Sequence, residues 1–113
     1  MELIQEVQNN ITVIQLEGNV LSDADSKVIL SKVQESIDDG KNDVIFDLSK
    51  TRFVNSSGIG ALITSMTKAR KAGGNMVLAC VPDSVSKLLE ITKLDGIVTQ
   101  VDTVSDAKAL ITE

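Results

Sequence analysis

The segment with the clearest chemical potential is Phe53-Val54-Asn55-Ser56-Ser57-Gly58-Ile59-Gly60. An apolar strand pattern precedes it by a few residues, and a helix pattern begins inside it. Asn55 and Ser56 are both good N-cap types, and Gly58 and Gly60 keep the first turn free of bulk. The unpaired N–H groups of such a turn, with the positive end of the helix dipole, favour an anion. Three uses compete. A plain helix cap, with glycines for close packing, is the first. A phosphate-binding loop is the second, but Gly58-Ile59-Gly60 lacks the third glycine of the dinucleotide fingerprint and no Gly-Lys-Ser/Thr follows. The third is a serine that is itself phosphorylated. A phosphate adds about −1.5 to −2 charges at pH 7, which a helix N-terminus tolerates, so a surface changes without the helix unfolding. Residue types alone do not rank the third use above the first.

Composition narrows the field around this turn. The 113 residues hold 11 Lys and Arg against 16 Asp and Glu, a net charge of −5, with no His, Trp or Tyr and a single Cys. Without His there is no Ser-His-Asp triad, no Cys-His pair and no His-ligated metal. One Cys excludes an intrachain disulfide and a multi-thiolate zinc site, in keeping with a reducing cytoplasm. The acidic balance and the two Phe as sole aromatics argue against nucleic acid, which calls for a basic stripe and stacking rings. The opening MELIQEVQNN has no basic start followed by an apolar run, and no apolar stretch approaches ~18 residues, so neither secretion nor membrane insertion is expected. The expected location is cytoplasmic, with no cofactor, no metal and a monomeric chain. Asp38, Asp39 and Asp43 flank Gly40 without calcium-loop spacing.

The elements that must position the serine turn follow from periodicity. Leu3 to Val7 alternates, Asn9-Asn10 offers a turn, and Ile11 to Glu17 forms a second strand closed by Gly18. From Ser22 to Asp38 the period lengthens, with Ser26, Ile29, Leu30, Val33 and Ile37 drawing a helical stripe. Val44 to Leu48 reads as a central strand buried on two faces. The helix that begins in the serine turn carries Ile59, Leu62, Ile63, Met66 and Ala69 inward and ends at Gly73-Gly74. Lys68, Arg70 and Lys71 near its end suit the dipole and read as a solvated cluster. Met76 to Val81 is a strand containing Cys80, which is expected to be a core residue rather than a reactive thiol. Pro82 starts a third helix with Val85, Leu88, Leu89 and Ile91 as its apolar set, ending at Gly96. Ile97-Val98 begins a last strand, and Ser105 to Ile111 closes as a helix. The order ββαβαβαβα predicts an α/β fold: a mixed sheet of about five strands, mostly parallel with an antiparallel edge, and about four helices mainly on one face.

Asp47-Leu48-Ser49 followed by Phe53 to Gly60 resembles the signature of the bacterial anti-sigma factor antagonists, the stand-alone STAS domains. Leu16-Glu17-Gly18, Gly73-Gly74 and Leu94-Asp95-Gly96 agree with that family in order and spacing, so the resemblance covers essentially the whole chain as one domain over residues 1–113. It implies partner switching. The unmodified antagonist binds an anti-sigma factor that is also a serine kinase and thereby releases a sigma factor. The kinase phosphorylates the first serine of the pair, here Ser56 with Ser57 as runner-up, and the complex separates. A metal-dependent serine phosphatase restores the binding form. The protein would then not be an enzyme, because Ser56 receives chemistry performed by others.

The docking surface expected around Ser56 comprises Gly18, Leu21, Ser22, Asn55, Ser56, Ser57, Gly58, Ile59 and Gly60, with Ser65 and Lys68 on the exposed side of the second helix. Two positions depart from the family pattern: Asn55 stands where an Asp usually precedes the serine, and Leu21 stands where a further acid usually lies. These departures keep open an unphosphorylated STAS subunit of a stress-sensing or lipid-transport assembly. A small enzyme using the turn as an oxyanion hole is the other rival, and it would need a deep polar pocket beside Gly58.

Overall fold

The hairpin that opens the chain is set by Asn9 and Asn10, whose φ values of 52° and 66° give the left-handed turn that matches strand twist. In the computed structural model, which describes residues 1–112, it joins β1 (Glu2–Gln8) to β2 (Ile11–Glu17). The chain continues through α1 (Asp23–Asp38), β3 (Asp43–Lys50), α2 (Ser56–Lys71), β4 (Met76–Ala79), α3 (Asp83–Ile91), β5 (Thr99–Val101) and α4 (Val104–Thr112). The sheet order is β1-β2-β3-β4-β5, antiparallel between β1 and β2 and parallel thereafter. The predicted element order and the mixed α/β sheet are both present.

Strand pleating sends alternate residues to two separate cores. Ile14, Leu16, Val44, Phe46, Leu48, Met76 and Leu78 pack beneath α1, α2 and α3. Ile11, Val13, Ile45, Val77 and Ala79 face the other way, where α4 covers them through Ala107 and Val104. Helices are thus divided three to one, and β3 is covered on both faces over most of its length. Polar groups inside are paired. Thr12 and Ser36 share a 2.7 Å hydrogen bond, and Thr51 Oγ1 donates to the Leu16 carbonyl at 2.7 Å.

Four sequence expectations are corrected. Cys80 lies beyond β4 rather than within it, because its φ of 56° ends the extended run. It is half-buried, and burial followed by the neighbouring Asp47 carboxylate pushes its thiol up from the ordinary value. Pro82 is the N-cap of α3, one position before the helix proper. Ile91 is not a core residue but 77% exposed, since α3 ends there with Thr92 as C-cap instead of running on to Gly96. The last strand starts at Thr99, after an exposed Ile97 and a buried Val98.

Candidate functional site

The serine turn is assembled by two loops that run side by side. After β2, Gly18 adopts φ 88° and donates to the Lys50 carbonyl at 3.0 Å. Asn19 Oδ1 then accepts from the Arg52 and Phe53 amides at 3.3 and 3.1 Å. Val20 and Val54 form a parallel bridge: the Val20 amide donates to the Phe53 carbonyl at 3.0 Å and the Asn55 amide to the Val20 carbonyl at 2.9 Å. The first turns of α1 and α2 are therefore held next to each other at one end of the sheet. Ser84 Oγ donates to the Arg52 carbonyl and ties the start of α3 to the same connection.

The cap of α2 is Asn55, not Ser56. Asn55 Oδ1 accepts from the Gly58 amide at 2.8 Å, satisfying one of the unpaired donors of the first turn. Gly58 is required sterically. A Cβ there would lie 2.5 Å from Val54 Cγ1 and 2.8 Å from Val20 Cγ1. Gly60 is different, because a Cβ at that position meets nothing within 4 Å.

Ser56 and Ser57 occupy different surroundings. Ser56 is the first residue of α2, exposed, and its hydroxyl has no side-chain or backbone partner among the described residues. Ser57 is also exposed, but its Oγ donates to Asp23 Oδ1 at 3.1 Å and lies 3.2 Å from Ser26 Oγ. Ser56 stands at one end of a cleft of about 410 Å³ between α2 and the α3 region. Ile59, Gly60, Ile63 and Thr64 line it on one side, Leu88, Thr92 and Leu94 on the other. Those walls are aliphatic side chains and hydroxyls, with no ionisable group.

Of the residues expected at a docking surface, Gly18, Leu21, Ser22, Ser56, Ser57 and Gly60 are exposed and Asn55 is half-buried. Ser65 is corrected: it is fully buried, with its hydroxyl donating back to the Ala61 carbonyl at 2.8 Å. Gly58 and Ile59 are buried as well, so Gly58 shapes the turn and Ile59 one wall of the cleft rather than an outer surface. Lys68 is half-buried and donates to Gln34 Oε1 of α1 at 2.9 Å. Sequence reasoning missed Phe53, an aromatic left 55% exposed, with Leu21 60% exposed in the neighbouring loop. It also missed Leu88 and Leu94, which reach the cleft from a part of the chain whose placement no local pattern reveals.

A family model described as the STAS domain matches residues 2–107. The chain belongs to the STAS domain family. A Thermotoga neapolitana protein carrying a provisional anti-sigma factor antagonist name is 30% identical over 73 residues, 65% of this chain and 65% of that one. The match therefore spans just under two thirds of the relative's length. A Thermotoga maritima protein solved under the same provisional name superposes with a TM-score of 0.88 at 20% identity, covering 98% of this chain and 95% of that one. SpoIIAA of Bacillus, solved in its phosphorylated form, superposes with a TM-score of 0.75 at 20% identity, covering 97% of this chain and 99% of that one. At these identities the superpositions establish the STAS fold. Among the described residues no helix is long and apolar enough to cross a membrane.

Proposed function

We propose that this STAS domain is an anti-sigma factor antagonist that binds an anti-sigma factor serine kinase and is released by phosphorylation at Ser56. In that transfer the Ser56 oxygen bonds to the γ-phosphorus of ATP, ADP departs, and the hydroxyl proton is lost. A metal-dependent serine phosphatase reverses the modification by hydrolysis. The domain itself binds and is not an enzyme.

One observation carries the reading. Ser56 combines an exposed hydroxyl, unpartnered among the described residues, with a place in the lining of a largely aliphatic cleft, and the exposed Phe53 and Leu21 belong to the two loops that hold its turn together. Exposed apolar groups on the loops that carry a modifiable hydroxyl suit a surface on which a partner docks. A phosphate placed inside that contact would be an unpaired charge at a desolvated interface, which costs several kcal/mol. The provisional names of the Thermotoga relatives and the phosphorylated form of SpoIIAA support the same assignment.

A second reading is favoured by Asn55 and Leu21, which replace acids of the family pattern: a STAS subunit that docks without a phosphorylation cycle. Incubation with a candidate anti-sigma factor serine kinase and ATP, followed by mass-spectrometric location of phosphate, separates the two. Phosphate on Ser56 supports the switch. No incorporation by a kinase shown to be active on another substrate overturns it in favour of the second reading.

A further inference from the structure

Ser56 and Ser57 are consecutive on α2, so their side chains leave the helix about 100° apart. Ser56 lies along the cleft toward the α3 region, and Ser57 turns toward α1. There Ser57 Oγ sends its proton to Asp23 Oδ1 at 3.1 Å. Ser26 Oγ, largely buried, lies 3.2 Å from Ser57 Oγ and donates to the Ser22 carbonyl at 3.5 Å. A hydroxyl has one proton and two lone pairs. The contact therefore engages the Ser57 proton and holds a carboxylate 3.1 Å from the oxygen that would carry a phosphate.

We infer that Asp23 is a specificity-determining residue that excludes phosphate from Ser57 and confines modification to Ser56. The inference rests on the phosphorylation reading above and extends it to the choice between two adjacent serines. It follows from the geometry of this chain, in which Leu21 and Asn55 are both uncharged and Asp23 supplies the carboxylate facing the serine pair. Transfer of a phosphoryl group from ATP to Ser57 would break the hydrogen bond that its hydroxyl donates to Asp23. It would also leave a phosphate of about −1.5 to −2 charges against that carboxylate. At Ser56 neither obstacle exists, and the first turn of α2 favours negative charge.

The experiment needs no kinase. Phosphoserine is inserted genetically at position 56 or 57 of the full chain, with Asp23 intact or as Asp23→Asn, and thermal unfolding is followed. The expected result is a melting temperature for phosphoserine 57 at least about 5 °C below that for phosphoserine 56, a gap that Asp23→Asn largely closes. If the phosphoserine 57 chain does not fold, recovery of folding in the Asp23→Asn background is the supporting result. Equal melting temperatures at the two positions, or a gap unchanged by Asp23→Asn, would overturn the inference. Because charge is placed directly, these outcomes are independent of whether a kinase modifies the protein, which the incubation described above decides.

Discussion

Val20 and Val54 meet in a parallel bridge, and the space in front of their Cγ1 atoms is filled by the bare Cα of Gly58. This contact joins the two loops that carry the serine turn. It explains why the turn has two glycines that are not equivalent. Gly58→Ala would place a Cβ within 2.5 Å of Val54 Cγ1 and is expected to destabilise the protein by about 1–3 kcal/mol. Gly60→Ala projects into open space on an α-helix and is expected to stabilise it by about 0.5–1 kcal/mol. Urea unfolding of the two variants checks both signs.

Asn55 caps α2 through its bond to the Gly58 amide. Asn55→Ala removes that acceptor and is expected to cost about 1 kcal/mol, whereas Asn55→Asp retains the cap and adds favourable charge at the helix start. Urea midpoints should therefore fall for the alanine variant and hold or rise for the aspartate variant.

Phe53 and Leu21 are exposed, and each lies one residue from the Val20–Val54 bridge. Alanine at either position removes little that the fold uses, so stability should stay within about 0.5 kcal/mol of the parent. Affinity for the anti-sigma factor serine kinase is expected to fall at least tenfold for Phe53→Ala, since buried aromatic anchors dominate interfaces. Lys71→Ala, at the far end of α2, serves as the control and should bind as the parent does.

Cys80 is half-buried beside Asp47, and both desolvation and that carboxylate disfavour the thiolate. The folded thiol therefore titrates above its unfolded counterpart and reacts more slowly. Alkylation by iodoacetamide at pH 8 is expected to be slower in the native protein than in urea, and Asp47→Asn should narrow the difference.

The sheet and helices were legible because their periods differ. The β-branched run Ile11–Glu17, and the spacing of Ile29, Val33, Leu62 and Met66, reflect burial that the structure then displays. Errors arose where a local pattern was overruled by geometry beyond it. Ser65 looks like a surface residue by type, yet it is buried because its hydroxyl is satisfied within its own helix by the Ala61 carbonyl. Cys80 sits in an apolar run whose strand ends two residues early, at Ala79, and Ile91 continues an apolar spacing after α3 has ceased to face the core. The serine motif was visible, but its surroundings were not. The Ser57–Asp23 contact spans 34 residues, and the cleft beside Ser56 borrows Leu88 and Leu94 from the α3 region, so both exist only once the chain has folded.

In the switch proposed above, negative charge at Ser56 dissociates a partner that the unmodified domain binds. Calorimetric titration of Ser56→Ala and Ser56→Asp against the proposed anti-sigma factor serine kinase measures that effect. Ser56→Ala is expected to bind within about threefold of the parent, and Ser56→Asp at least about a hundredfold more weakly, consistent with the cost of an unpaired charge at a desolvated contact. Equal affinities for the two variants would contradict a charge-based switch at this site.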